Sequence, residues 1–426
     1  MTRGSLSGAQ TTVVEWLLDP SSAPTLAAAP VAPQWHNPAM AEIAVAVSRG
    51  MAAGCRLVGV EARGDGEVRA ALIDQRGREW ALLLTFAAPA HDRLTRLCVR
   101  PVLDADVTVR PVTRADLAAL MALELTAPVR RDDGTEVLID HRGRQLDHEG
   151  IVRDHRWLGA FRGNRLLAVQ AVAVVEAPID GRMQRIAYNH YSRSDPTTRH
   201  AGNHLHLVST LYRDVFPHID QFLSVVDVHN PTGLRLSFGE PWPGRVRRLF
   251  LSTAALAARP LPTVPRRPFD AAHAAALLNA THAGLQLWVP RRPEFLIERA
   301  RRAPKVCGPA GWQLTAHAAL SVWPSGERRR YRRDNQVTER TLAPVLDFGF
   351  DGDRGREELT VLFAAAACEL RDQGISHLAI FMPEQHPPTA WLETLAESVD
   401  TYAVCAPRLA SQPPPAGPVY IDHVLF

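Results

Sequence analysis

Tyr188 to His204 reads YNHYSRSDPTTRHAGNH, and an apolar helix-like segment, LHLVSTLYRDV, follows from Leu205 to Val215. The next run, FLSVVDV from Phe222 to Val228, has the composition of a buried strand and is followed by His229-Asn230-Pro231. The order is therefore a strand, a polar loop with a glycine, a helix and a strand. A helix that begins after a glycine loop presents unpaired backbone N–H groups, which favour an anion such as a pyrophosphate. We interpret Tyr188 to Asn230 as the candidate ligand-binding core.

The same order of elements occurs a second time in the chain. A predicted strand at Pro344–Phe350 leads into the glycine loop Asp351–Arg356, then into a helix at Glu357–Gln373 and a strand at Leu378–Met382. An internal repeat of this kind predicts two copies of one structural unit.

Residues 1–105 are predicted to form a small unit of their own. A lead-in rich in Ala, Pro and Ser, including Ser21 to Pro33, precedes a helix from Pro38 to about Gly54. Four strand-like runs separated by turn signals follow, at Cys55–Ala62, Val68–Asp74, Trp80–Phe86 and Leu94–Val102. A helix followed by an antiparallel meander predicts a small α+β roll. The unit contains no cluster of catalytic residue types, so we expect a packing or dimerisation module.

Residues 106–257 are predicted to form a mixed sheet that contains the opening stretch. The unit starts with a strand at Val107–Arg110 and a capping box, Thr113-x-x-Asp116, that opens a helix. Arg130–Asp154 is dense in charge and is predicted to be a loop with at most one short helix. Further strands are predicted at Trp157–Phe161, Leu166–Val175 and Arg185–Arg193.

A proline-rich linker at 258–268 separates this unit from a second one at 269–426. In the second unit, Arg328–Arg333 is predicted to be a basic turn or loop. Val419–Phe426 is predicted to be the closing strand of the chain.

The composition favours no particular class of macromolecular partner. A formal net charge of +3 over 426 residues gives no strong attraction to nucleic acid or to an anionic membrane. The five cysteines show no C-x-x-C spacing, which argues against a disulfide framework and a zinc site. No run of about 18 apolar residues is present, so no transmembrane helix is expected. A reducing cytoplasm is the predicted location.

The opening stretch resembles the GNAT superfamily of N-acetyltransferases. The family loop reads Arg/Gln-x-x-Gly-x-Gly/Ala; Arg199 and Gly202 match it, whereas the bulky His204 stands where the family has a small residue. Val107–Asp116 is similar to the family's first strand and helix start, and Trp157–Gln170 to its second and third strands. The resemblance covers residues 107–426. It implies an α+β or mixed α/β chain with two tandem GNAT-like domains of splayed mixed sheets, preceded by the small roll.

The resemblance also implies a co-substrate, acetyl-CoA or another acyl-CoA, and no metal. The pyrophosphate of the co-substrate would lie at the N-terminus of the helix after the glycine loop. The residues implied to contact the co-substrate are Ser192, Arg193, Arg199, Gly202, Asn203, His204 and, near the pantetheine arm, Asn230. In the second copy, Gly352 to Glu358 puts acidic residues where the phosphate would bind, and like charge is unfavourable there. We therefore expect one working site and one structural copy.

Acyl transfer from a thioester to an amine needs a donor for the developing oxyanion, a base for the ammonium proton and an acid for the leaving thiolate. The catalytic candidates are His190, Tyr191 and Tyr188, of which His190 has a side chain suited to proton transfer near neutral pH. The family often places a tyrosine on the helix after the fifth strand. The helix predicted at Pro231–Glu240 contains none.

Three functions stay open at this point. The first is transfer of an acyl group, most simply acetyl, to an amine of a small molecule or peptide. The second is transfer from aminoacyl-tRNA or an acyl carrier protein, for which His204 and the basic run Arg328–Arg333 leave room. The third is a non-catalytic tandem fold that binds a ligand or partner. No membrane partner is expected, and the oligomeric state, including a homodimer, is left open.

Overall fold

The computed structural model describes residues 8–18, 38–63, 66–87, 94–147, 151–152, 154–237, 240–407, 414–415 and 417–422. The predicted lead-in from Ser21 to Pro33 lies outside these residues. The described part is a mixed α/β structure with a small four-stranded sheet and a large mixed sheet, so the predicted fold class is confirmed. Within that part, no helix combines the length and the apolar character needed to cross a membrane.

The first unit is a helix pair packed on an antiparallel meander; the sequence predicts the meander and the second helix, but not the first helix at Gly8–Leu18. Its elements are α1 (Gly8–Leu18), α2 (Pro38–Ala52), β1 (Arg56–Arg63), β2 (Glu67–Ile73), β3 (Glu79–Phe86) and β4 (Leu94–Pro101). The strands pair in the order β1-β2-β3-β4. Strand β2 alternates between buried and more exposed side chains, and its buried members pack with Val13 and Val14 of α1 in one core.

The large sheet begins at Val107. The elements that precede the proline-rich segment are β5 (Val107–Pro111), α3 (Leu117–Thr126), β6 (Val129–Arg130), β7 (Glu136–Asp140), β8 (Asp154–Arg162), β9 (Arg165–Ile179), β10 (Arg182–Ser194), α4 (Asn203–Val215), β11 (Gln221–Asp227), α5 (Pro231–Leu236), β12 (Glu240–Ser252) and α6 (Thr253–Ala257). The predicted capping box is present, since the Thr113 backbone N–H donates to Asp116 at 2.9 Å before α3.

The elements after the proline-rich segment complete the sheet. They are α7 (Ala271–His282), α8 (Pro293–Arg302), α9 (Pro304–Cys307), β13 (Trp312–Leu314), β14 (Ala318–Val322), β15 (Glu327–Arg333), β16 (Gln336–Phe350), α10 (Gly352–Arg371), β17 (His377–Pro383), α11 (Pro387–Glu393) and β18 (Ser398–Ala406).

The two halves of the large sheet exchange strands. The order is β5-β8-β9-β10-β11-β18-β12-β17-β16-β15-β7-β6, with β13 and β14 attached to β16. Strand β12, from the first half, pairs with β17 and β18 of the second half. Strand β18 in turn pairs with β11 of the first half. The hairpin β6–β7 also crosses over and pairs with β15. Residues from both halves can therefore meet around one site.

The predicted internal repeat corresponds to two parallel β-α-β units, β10-α4-β11 and β16-α10-β17. In the first, Ile186–Asn189 pairs with Gln221–Ser224. In the second, Leu342–Pro344 pairs with His377–Ala379. In both units the two strands continue beyond these few residue pairs without pairing to each other. The strand pairs β10–β11 and β16–β17 are therefore both splayed.

The sequence analysis was wrong about three segments. Arg328–Arg333 belongs to strand β15, in which Glu327 and Arg329 are buried and Arg328 and Arg330 are exposed. A basic run forms a strand here because carboxylates pair with its guanidinium groups, for example Glu339 with Arg330 at 3.0 Å. Arg130–Asp154 contains β6 and β7 instead of a plain loop. Strand β18 is the last strand along the described chain, and Val419 makes only an isolated bridge to Gln286; residues 423–426 lie outside the described part.

Candidate functional site

The candidate site lies where β10 and β11 separate. Beyond Asn189, β10 stays paired with β9, and beyond Ser224, β11 stays paired with β18. At the point of separation β10 has a bulge, because Asn189 faces Val172 while Tyr191 faces the adjacent Ala171, which leaves His190 as an extra residue. A bulge residue is left out of the hydrogen-bond ladder. The separation of the strands and the bulge together open a gap in the sheet. The backbone of His190, beside this gap, lies outside the hydrogen-bond ladder.

A cavity of about 560 Å³ occupies this gap. The first half contributes the diverging ends of β10 and β11 and one side of α4, at residues 189–194, 224–227, 202, 204, 205, 208 and 212. The hairpin β6–β7 contributes Arg130, Arg131, Val137 and Ile139. Strand exchange brings in the opposite wall, formed by Arg248, Trp323, Glu327, Arg329, Pro344, Phe381 and Tyr402. The cavity is thus built by both halves of the chain.

A polar network joins the two strands across the gap. His204 Nε2 lies 2.5 Å from Ser192 Oγ and 3.0 Å from Gln170 Oε1. The Gln170 amide N–H donates to Asn189 Oδ1, and the Asn189 amide N–H donates to Ser224 Oγ at 3.5 Å. Burial lowers the pKa of His204 to about 4, so this imidazole is neutral at pH 7. Because Gln170 presents its oxygen, His204 carries its proton on Nε2 and donates.

A second network fixes Tyr191 at the cavity wall. The Tyr191 hydroxyl donates to Glu124, which is 1% exposed, and His141 Nδ1 and Gln145 Nε2 bond to the same carboxylate at 2.5 and 2.6 Å. Burial acts to raise the pKa of Glu124, but the charge of His141 and its hydrogen bond outweigh burial and lower it. Burial likewise opposes charging of His141, yet Glu124 raises the pKa of His141 overall. Each group of the cluster therefore favours the charged form of the other behind Tyr191.

His190, the bulge residue, is in contact with a second histidine. Its Nε2 lies 2.7 Å from His155 Nε2, and Trp157 packs edge-on against the His190 ring with centroids 5.7 Å apart. Burial lowers the pKa of His155 to about 4, so His155 is neutral at pH 7. A neutral His155 can accept a hydrogen bond from His190 and stabilise a proton on the His190 ring.

The N-terminus of α4 lies at one end of the cavity. Gly202 adopts a left-handed conformation with φ of 78° and leads directly into the helix. The His206 N–H is bonded to Gly202 O at 3.0 Å. At a helix start, the first backbone N–H groups have no carbonyl partner within the helix itself. This arrangement supplies the anion-favouring helix end that the sequence predicts.

The structure brings most of the predicted site residues together. Those that line the cavity are His190, Tyr191, Ser192, Arg193, Gly202, His204 and Asn230. Asn230 also uses its Oδ1 to cap α5, accepting from Gly233 N–H at 2.9 Å.

Two predicted residues lie elsewhere. Tyr188 packs in a hydrophobic cluster with Ile186 and Leu223, and Asn203 is 2% exposed; neither lines the cavity. The side chain of Arg199 lies outside the described part.

The equivalent gap in the second repeat is filled. The ring of His282 on α7 bonds to Phe348 O of β16 at 3.0 Å and packs 5.7 Å from His386, just after β17. Beside them, a buried ion cluster forms: Arg291 and Arg299 both pair with Asp347 and Asp422 at 2.8 to 3.4 Å. Side chains and ion pairs thus occupy the place that is a cavity in the first repeat.

Sequence reasoning missed the wall that comes from strand exchange. Arg329 Nε donates to Glu327 at 2.6 Å, and Arg248, which is 1% exposed, reaches the same carboxylate at 3.4 Å. Burial raises the pKa of Glu327 to about 7, and the charge of His141 acts in the opposite direction. The alternation of Glu327 and Arg329 with exposed arginines was the available signal for a strand face. Nothing local in the sequence placed that face against β10.

Solved structures of similar fold are known at low sequence identity. No protein-family model matches the sequence, and no curated protein sequence matches it. Saccharomyces cerevisiae N-myristoyltransferase with bound myristoyl-CoA is 9% identical and aligns over 74% of this chain and 81% of its own, with a TM-score of 0.51. A GCN5-related N-acetyltransferase from Sphaerobacter thermophilus is 14% identical over 72% of this chain and 96% of its own, with a TM-score of 0.45.

Proposed function

We propose that this chain, which has the fold of the GNAT superfamily, is an N-acyltransferase that uses an acyl-CoA. The acyl group, most simply acetyl, would pass to an amine of a small molecule or a peptide. One observation carries the proposal: a cavity of about 560 Å³ lies between two strands that separate at a bulge, and a helix N-terminus lies at its edge. A thioester with a long pantetheine arm and a pyrophosphate fits such a gap.

The cavity residues suggest a division of roles. The coenzyme's pyrophosphate would lie at Gly202 and the first turn of α4, near Ser192 and Arg193. The backbone of the bulge at His190 would donate to the carbonyl oxygen as the amine attacks. His190, supported by His155, would take the proton that the amine loses as the C–N bond forms. The C–S bond then breaks, and the proton that His190 has taken would pass to the thiolate of CoA as it leaves.

The alternative donors receive less support from the charges of the chain. The role of aminoacyl-tRNA or an acyl carrier protein was suggested by His204 and by a basic run at Arg328–Arg333, and the second feature requires that the run be free to bind an acidic partner. In the structure, carboxylates within the chain pair with its guanidinium groups; Arg330 contacts Glu339 at 3.0 Å and Arg333 contacts Asp133 at 3.6 Å. We therefore favour a CoA thioester as the donor.

Calorimetric titration with acetyl-, octanoyl- and myristoyl-CoA tests the proposal. We expect at least one of them to bind the parent protein. Ser192→Trp should weaken that binding about tenfold or more, because an indole at Ser192 would fill the space between β10 and α4. Ser192→Ala is the matched control: it removes one hydrogen bond to His204 and should change the affinity by less than about tenfold.

The outcomes separate the open functions. If the parent protein binds no acyl-CoA, the proposal is wrong. If it binds and the thioester is passed to no amine, the non-catalytic alternative stands. If Ser192→Ala and Ser192→Trp weaken binding equally, the coenzyme does not occupy this gap.

A further inference from the structure

The cavity lining carries an excess of positive charge. Among the described residues that line it, the carboxylates are Asp227 and Glu327. The lining guanidinium groups belong to Arg130, Arg131, Arg193, Arg248 and Arg329. Part of this excess is balanced from behind the wall, because Asp400 lies 2.9 Å from Arg131. The guanidinium groups differ in how closely each is paired with a carboxylate.

Arg248 is the buried guanidinium with the weakest pairing to an acid. Its carboxylate contact among the described residues is Glu327 at 3.4 Å, and Glu327 is already bonded to Arg329 at 2.6 Å. Its Nε is buried and has no hydrogen-bond partner among the described residues. Phe250 and Phe381 cover the guanidinium group at 5.5 and 5.2 Å from its carbon to the ring centroids.

Other arginines with little exposed side chain have closer or more numerous carboxylate contacts. Arg131 has two carboxylates to itself, Asp227 at 2.8 Å and Asp400 at 2.9 Å. Arg291 and Arg299 share two carboxylates between them. Taking a charged group out of water without a matching counterion is costly. Arg248 is buried, lines the cavity and shares its carboxylate partner with Arg329. It is therefore suited to bind an anion that enters the cavity from solvent.

Two anions could come from the reaction: a phosphate of the coenzyme or a carboxylate of the acceptor. The helix N-terminus at Gly202 lies in the part of the cavity wall that the first half of the chain contributes, beside β10. Arg248 lies on β12, which is separated from β11 by β18 in the sheet, and forms part of the opposite wall. The planar guanidinium fork matches a carboxylate by two parallel hydrogen bonds.

We propose that Arg248 binds a carboxylate of the acceptor, so that the amine substrate is an amino acid or an amine with a carboxylate nearby. This inference rests on the proposed function, because it assumes that the acceptor enters the same cavity as the acyl-CoA. It commits the acceptor to a chemical class that the fold alone does not specify.

Conjugates that join coenzyme and acceptor test the inference without knowledge of the natural acceptor. In each, the CoA sulfur is linked through an acetyl group to glycine, β-alanine or γ-aminobutyrate, and each carboxylate is compared with its carboxamide by calorimetry. We expect one of the three carboxylates to bind the parent protein about tenfold or more tightly than its carboxamide, since a charge-assisted hydrogen bond is lost in the carboxamide. Both members of a pair carry the same phosphates, so a phosphate at Arg248 would give no difference.

Substitutions then assign the difference to one residue. Arg248→Gln should reduce the preference for the carboxylate to about one. Arg247→Gln is the control, because Arg247 is the neighbouring residue on β12, bonds to Thr401 and Glu384, and does not line the cavity; it should keep the preference. If Arg248→Gln is unfolded by circular dichroism, the comparison of carboxylate with carboxamide in the parent protein decides.

Equal binding of carboxylate and carboxamide in all three pairs would overturn the inference, as would a preference that survives Arg248→Gln. Titration of the parent protein with acetyl-CoA alone separates this failure from failure of the proposed function. Binding of acetyl-CoA without a carboxylate preference removes only the role of Arg248. Absence of binding by every conjugate and by every acyl-CoA removes both.

Discussion

Asp347→Ala is expected to reduce the free energy of unfolding by about 3–5 kcal/mol. Asp347 is 4% exposed and accepts from Arg299 at 3.0 Å and from Arg291 at 3.4 Å. Without it, two buried guanidinium groups share one remaining carboxylate, Asp422. The cost comes mainly from the uncompensated buried charge. The effect is large because this cluster packs the second repeat, where the first repeat has its cavity.

Urea denaturation of the parent protein and of two variants measures this effect. The control is Glu369→Ala, which removes an exposed ion pair between Arg266 and Glu369 at 3.0 Å. An exposed pair contributes at most about 1 kcal/mol. A cost for Asp347→Ala no larger than that of Glu369→Ala would mean that the second gap is open to water.

Gly202→Ala is expected to cost about 3 kcal/mol, the second-largest effect. The φ of Gly202 is +78°, a conformation that L-residues with a side chain rarely adopt. A Cβ would also lie 2.7 Å from Pro101 Cγ at the end of β4, so the N-terminal unit would have to shift. Two further contacts hold that unit to α4, from His206 Nδ1 to Pro101 O at 2.8 Å and from Arg100 to Thr210 at 3.0 Å.

Gly163→Ala separates the cost of the backbone conformation from the cost of the clash with Pro101. Gly163 also has a positive φ, +58°, but an added Cβ would have no atom within 4 Å. We expect it to cost about 1 kcal/mol, the backbone term alone. Thermal and urea unfolding of both variants give the difference. If the two variants are equally destabilised, the N-terminal unit does not pack against the glycine loop in solution.

The local features of the fold could be predicted from sequence because they follow from local periodicity. The apolar run at Phe222–Val228 and the helical spacing before it predict a β-α-β unit, and the repeat at 344–382 predicts a second. Strands β6 and β7 were not predictable in this way. Strand β6 pairs with β7, and β7 pairs with β15, about 190 residues later in the chain; a pairing of that separation leaves no local pattern.

The same distinction explains which site residues could be found. His190, Ser192, Gly202 and His204 lie within one short stretch, and a loop motif groups them. His155 is two strands away from His190 and meets it only through the register of β8 with β9. Arg248 reaches the cavity because β12 is exchanged into the second half of the sheet. Such residues are identified only when the order of the strands is known.

The second half of the chain therefore has a clearer role than that of a degenerate copy. Its own gap is packed, while its strands, together with β12 of the first half, form the wall of the cavity that faces β10 and β11. We propose that the first repeat holds the coenzyme and that the wall opposite it selects the acceptor.

A crystal structure of the protein with a non-hydrolysable acyl-CoA thioether would show whether the coenzyme binds between β10 and β11. The account predicts the pantetheine arm between β10 and β11, the pyrophosphate at the N-terminus of α4 beside Gly202, and the acyl carbon next to the bulge at His190. A coenzyme bound between β16 and β17, or on the surface away from both gaps, would contradict it.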